Sequence, residues 1–154
     1  MTPPLELTLT YASRRPWVPS RAAFVRWASA ALSAAPGRTA HTVISIRVVG
    51  AARSRALNAR YRRRERPTNV LSFEGPGQMP DGRLFLGELV ISAPVVAREA
   101  RVQGKTAEAH WAHITIHGVL HLLGFDHERR AEAAKMTAKE IQILDRLGFS
   151  DPYA

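Results

Sequence analysis

The sequence predicts an α+β fold: one compact domain over residues 1–154, with a small mixed four-stranded sheet flanked by about five helices. Three observations predict it. A chain of 154 residues is one ordinary domain, long enough to bury a real core and too short for two comfortable ones. Hydrophobic content of 45% and charged content of 23% are those of a globular chain. Stretches that alternate like strands are interspersed with stretches of helical periodicity, each bounded by glycine, proline or capping residues.

Leu5, Leu7 and Leu9 alternate with polar residues, as a half-buried first strand would. Ser20, after Pro19, is placed to cap a helix in which Phe24, Trp27, Ala28 and Ala31 recur at helical spacing. The APG at 35–37 closes that helix. HTVISIRVV, 41–49, is rich in β-branched residues and stops at Gly50, which gives a second strand. A basic helix follows over about 53–63, and Pro67 ends it. TNVLSFE, 68–74, reads as the third strand, and GPGQMPDG, 75–82, as a turn-rich loop or hairpin connection. RLFLGELVIS, 83–92, is the fourth strand, with Gly87 marking a bulge or a close backbone approach. Ser92 and Pro94 open a helix to about Gln103, with Gly104 beyond its end. Thr106 is placed to cap the next helix, with Glu108 near its positive dipole end. A last helix, about 129–147, sets Met136, Ile141, Leu144 and Leu147 near one face and ends at Gly148.

Composition narrows the function. The chain has no cysteine, which excludes disulfides, thiolate zinc sites and cysteine nucleophiles and suits the cytoplasm. MTPPLELTLT lacks the basic and apolar regions of a secretory signal, and no apolar run approaches membrane-spanning length. A net charge of +9 favours a polyanionic partner, although the arginine and alanine richness also fits a compositional bias.

The chemistry concentrates in HGVLHLLGFDH, 117–127. On a helix, residues four apart point to the same side about 6 Å apart in height, so His117 and His121 can share one ion. Gly124 is suited to stop the helix in a left-handed conformation and swing His127 back toward the other two. The expected result is a three-histidine site with a fourth position left for water. Either histidine alone would read better as partly buried core. The same positions occur in the metzincin peptidase signature H-E-x-x-H-x-x-G-x-x-H, but its general-base glutamate falls here on Gly118.

HGVLHLLGFDH resembles the H-G-x-L-H-L-x-G-aromatic-D-H signature of the YbeY family of bacterial metal-dependent endoribonucleases. LNARYRRRERPTNVLSF, 57–73, resembles that family's L-N-x-x-Y-R-x-x-x-x-P-T-N-V-L-S-F segment. LGELVIS, 86–92, is similar to its L-G-D-I-V-I-S strand, with Glu88 for the usual aspartate, and AHITIHG, 112–118, matches the run into the metal helix. The resemblance implies a compact α+β fold and one Zn2+ held by His117, His121 and His127. It implies cleavage of single-stranded RNA, with roles in maturing the 3′ end of small-subunit ribosomal RNA and in ribosome quality control. Ribosomal RNA, ribosomal particles and ribosome-associated proteins would be the partners. The family's functionally important arginine falls on Arg62.

Arg62 lies in a segment, 51–66, with seven arginines against one glutamate, most of them read as a solvated surface that tracks a phosphate backbone. Only the resemblance sets Arg62 above Arg63 and Arg64, as the group that stabilises charge developing on phosphorus. Asp126 is placed either to orient an imidazole or to cap the turn. His113, four residues before His117, could contact substrate or shuttle a proton, and reads better as a hydrogen-bonded core histidine, while His110 and His41 offer nothing beyond surface or strand positions. Thr68, Asn69 and Ser72 suit phosphate contacts or strand-end hydrogen bonds equally. Glu88, polar inside an apolar strand, is expected either to support the site or to pair with a nearby arginine. Of Trp17, Trp27 and Trp111, the two inside helical patterns are expected in the core rather than stacked on bases.

Three readings follow. The first is a zinc-dependent endoribonuclease. The second is another zinc hydrolase such as a metallopeptidase, against which Gly118 and the basic flank weigh. The third is a non-enzymatic ribosome-associated protein whose zinc is structural, with His113 or Asp126 as a fourth ligand.

Overall fold

The computed structural model describes residues 4–35, 41–62, 69–125 and 130–154, and only the backbone of Tyr61 and Arg62. Four strands, β1 (Leu5–Tyr11), β2 (Thr42–Val49), β3 (Val70–Gln78) and β4 (Leu84–Ser92), form one sheet in the order β1-β2-β4-β3. The strands β1, β2 and β4 are parallel, while β3 runs antiparallel along the edge of β4. The helices are α1 (Arg21–Leu32), α2 (Ala51–Arg62), α3 (Ala93–Val102), α4 (Ala107–Leu122) and α5 (Arg130–Arg146). The α+β expectation therefore holds, with a mixed sheet.

Strand alternation sorts the sheet into two faces. Ile44, Ile46 and Val48 of β2 join Leu89 and Ile91 of β4 in a main core with α1, α4 and α5. Val49, Val90 and Leu71 alternate with these and form a separate cluster, closed by Leu57 of α2 and Phe73. Helix α2 therefore covers the face opposite α4. Trp27 and Trp111 are fully buried, as expected, and each meets Phe24 edge-on at 5.8 and 5.9 Å. Burying such a side chain is worth about 1.5–3 kcal/mol or more, so these rings weigh heavily in the core.

The helix starts follow the capping residues. Ser20 Oγ accepts from the Ala23 amide at 3.2 Å, and Thr106 Oγ1 from that of Ala109 at 3.1 Å. Ser92 opens α3 without a side-chain cap, and its buried hydroxyl has no partner among the described residues.

The expected loop at 75–82 is half wrong, because β3 continues through Gln78. Glycine and proline signal a turn, yet Pro76 sits on an edge strand, where a missing amide is tolerated. At Gly75 any side chain would collide with the Phe85 carbonyl and ring, so glycine here serves a close crossing. The reversal itself is Met79–Arg83, where Gly82 takes φ +90° and Asp81 accepts from the Arg83 amide.

Gly87 fulfils both expectations. The β2–β4 register slips beside it, with Val43 facing Phe85 and Ile44 facing Gly87. A Cβ there would strike the Phe73 carbonyl oxygen and come within 2.6 Å of Leu122 Cδ2. Gly87→Ala should lower stability by about 1–3 kcal/mol, because the obstacle is backbone. Urea unfolding measures this, and an unchanged midpoint would contradict the close packing.

Candidate metal centre

Helix α4 is apolar almost all round, which suits a helix enclosed on every side. From His110 to Leu122 every residue is buried except two, His117 and His121. The two histidines thus mark the opening in an otherwise enclosed helix. This is the opposite of what core histidines would show.

Two contacts fix how α4 lies. At Gly118 a Cβ would sit 2.8 Å from Leu89 Cδ2, within the filled core, so glycine lets the helix press onto β4 without displacing that leucine. At the other end Gly124 takes φ +103°, with the Gly124 amide on the His121 carbonyl and the Phe125 amide on that of Leu120. The helix-stopping glycine is therefore confirmed. His127 and Asp126, which follow it, lie outside the described residues.

Behind His117 stands a residue that the sequence reading did not select. Glu140 on α5 is 1% exposed and lies in the same buried stripe as Met136, Ile143 and Leu144. That stripe corrects the expected one, since it includes Ile143 rather than Ile141. A buried carboxylate must be paired or neutralised. Its Oε1 faces His113 Nε2 at 2.8 Å and His117 Nδ1 at 3.0 Å, while its Oε2 accepts from Tyr153 Oη at 3.0 Å. Burial pushes the Glu140 carboxyl upward, but the hydrogen bonds from His113 and His117 outweigh it and hold the group at about 2. Burial first, and then the charge of Glu140, push the Tyr153 phenol well above its ordinary value. With Glu140 ionised, both facing imidazole nitrogens must carry protons. A neutral His117 then bears its lone pair on Nε2, the nitrogen a metal would use.

His113 is the hydrogen-bonded core histidine expected. Bound to Glu140, with its Nδ1 buried and unpartnered, it is not available as a fourth ligand in this arrangement. His110 corrects the expectation of a surface position: it is buried, and its Nε2 lies 2.9 Å from Glu99 Oε1. Asn69 Nδ2 donates to the same carboxylate at 3.1 Å, so Asn69 ties β3 to α3. Burial raises Glu99, but His110 and Asn69 together bring its carboxyl below the usual value. A folded-state pKa below the unfolded one gives stability that is present above the unfolded value and lost on acidification through the folded value. The stability gap between the wild-type chain and Glu99→Gln in urea should therefore shrink as pH falls below 4.5. A gap independent of pH would contradict this.

Arg62 is the last residue of α2, and its side chain lies outside the described set, as does Thr68. From Arg62 the chain leads toward edge strand β3, which packs beside α4. Upstream, Arg47, Arg53 and Arg60 surround a pocket of about 250 Å³ with Leu57, Phe73, Glu88 and Val90 on the α2 face. Glu88 pairs there with Arg47 at 3.9 Å and Ser45 Oγ at 3.4 Å, as a polar residue in an apolar strand was expected to do. Ser72 is half-buried on β3, His41 pairs with Glu6 at 3.6 Å, and Trp17 is exposed. Among the described residues no three histidine, aspartate or glutamate side chains form a metal-holding group. His117 and His121, the two expected ligands within the described residues, are both half-buried on α4, and the Glu140 carboxylate stands behind His117.

The chain as a whole was compared with known proteins. Residues 16–148 match the family described as Endoribonuclease YbeY. The chain is 52% identical to Endoribonuclease YbeY of Alkalilimnicola ehrlichii, over 98% of this chain and 92% of the relative. It is 51% identical to that of Pseudomonas entomophila, over 97% of this chain and 94% of the relative. A Thermotoga maritima protein solved in solution shares the fold at TM-score 0.57 and 19% identity, covering 93% of this chain and 92% of that one.

Proposed function

Because the chain belongs to the YbeY endoribonuclease family, we propose that it is a metal-dependent endoribonuclease that cuts single-stranded stretches of ribosomal RNA. The proposal includes maturation of the 3′ end of small-subunit RNA and quality control of ribosomal particles in the cytoplasm. The observation that carries it is the pair His117 and His121, the two openings in a helix otherwise buried from 110 to 122. With His127, they would hold one Zn2+.

A zinc ion there would polarise a phosphoryl oxygen or lower the pKa of a water toward ~7. The chain's own residues do the rest. Buried α4 fixes the spacing of His117 and His121, and Gly124 ends the helix ahead of His127. Arg62 would face the phosphate, where a planar guanidinium stabilises charge developing on its oxygens. The surrounding arginines would hold the RNA backbone through salt-sensitive contacts.

A peptidase fits poorly. The metzincin glutamate would have to stand at Gly118, where even a Cβ meets Leu89. A structural zinc with His113 as its fourth ligand is also disfavoured, because His113 is committed to Glu140.

The test is cleavage of single-stranded and duplex RNA by zinc-loaded protein, with casein as control. Single-stranded RNA should be cut, duplex and casein spared, and Arg62→Glu should reduce cleavage by about a hundredfold or more. Folded, zinc-loaded protein that cuts no RNA would overturn the reading.

A further inference from the structure

The strongest cluster not yet given a role is the one that joins α4, α5 and the C-terminal turn. We propose that Glu140 and Tyr153 are positioning residues of the metal centre: Glu140 holds His117 by Nδ1–H so that Nε2 faces the ion, and Tyr153 holds Glu140. This rests on the proposed metal site at His117.

Each link has its own geometry. Glu140 Oε1 lies 3.0 Å from His117 Nδ1, which sets both the ring rotation and the proton's place. Oε2 is taken by Tyr153 Oη at 3.0 Å, so the carboxylate is gripped at both oxygens and cannot turn away from His117. The Tyr153 ring stands edge-on to His113 at 5.3 Å, with its hydroxyl 3.2 Å from His113 Nε2. The turn carrying Tyr153 is itself pinned twice. Its own amide donates to Asp151 Oδ1 at 2.8 Å, and Lys105 Nζ, from the α3–α4 connection, donates to the Pro152 carbonyl at 2.8 Å.

Burial alone does not explain this arrangement. Tyr153 is 53% exposed, so it adds little to the core, yet its hydroxyl reaches a carboxylate that is 1% exposed. A contact of that kind matters for direction more than for packing. A carboxylate hydrogen-bonded behind an imidazole orients it toward a metal, and loss of such a partner typically costs about 10- to 100-fold in affinity.

The experiment uses the full chain without RNA. Zinc affinity is measured by chelator competition for wild type, Glu140→Gln and Tyr153→Phe, and the His117 tautomer by 15N NMR of the metal-free protein. The wild type should show the proton on Nδ1 of His117. Glu140→Gln should bind zinc about 10- to 100-fold more weakly and mix the two tautomers. Tyr153→Phe, which keeps the ring and should fold normally, should weaken zinc several-fold and shift the same signals. A proton on Nε2 in the metal-free wild type, or unchanged zinc affinity in both variants, would overturn the proposal. Zinc-dependent effects in a protein that cuts no RNA would overturn the nuclease reading and leave this one standing.

Discussion

His117→Ala should reduce RNA cleavage by about a thousandfold or more while leaving the fold intact. The size follows from losing a ligand of an ion expected to supply several kcal/mol of charge stabilisation at phosphorus. The tolerance of the fold follows from exposure. The His117 side chain is 26% exposed, and Glu140 keeps His113 and Tyr153 when it is removed. Zinc per chain should fall from one to near none, and circular dichroism should be unchanged. A variant that cleaves like wild type would show that the cleavage comes from a contaminating ribonuclease, and a variant that unfolds would show that His117 serves the core.

What the sequence disclosed about this site was local, and what it concealed was remote. Thr106 capping α4, Gly124 ending it and the four-residue spacing of His117 and His121 are all matters of a few residues' separation. Short-range chemistry of this kind can be read directly. Glu140 is 27 positions from His113 and 23 from His117, and Tyr153 is 40 from His113. No periodicity announces such pairs. The one available signal was a glutamate four residues after Met136 in an apolar stripe, which reads at first as an exposed position. His110 was hidden in the same way, since its partner Glu99 comes from another helix.

The strand β3 failed for a different reason. Gly75 and Pro76 are turn residues by propensity, and tertiary context overrode them at a sheet edge where Phe85 crosses closely. Gly118 shows the reverse case, a residue whose absence from one motif was legible but whose cause was not. The sequence showed that no glutamate stands there. The structure adds that a side chain there would have to displace the buried Leu89 methyls, on which α4 rests through that glycine.

Glu140→Ala should be the most destabilising single substitution in the site, at about 3–5 kcal/mol. The figure is that for removing one partner from a buried polar pair and leaving the other unsatisfied. Here two imidazole nitrogens and a phenol lose their acceptor at once, and His113 is itself buried. The instructive comparison is the double variant Glu140→Leu with His113→Leu. Buried polar pairs replaced by apolar residues of similar volume are often as stable or more so, hence the double variant should recover most of the loss in urea unfolding. If it does, the cluster is not kept for stability. The cost of burying Glu140 would then be borne for the one partner at the opening, His117, and zinc affinity should stay low although the fold is restored. If instead the double variant binds zinc as tightly as wild type, the carboxylate has no part in the metal centre.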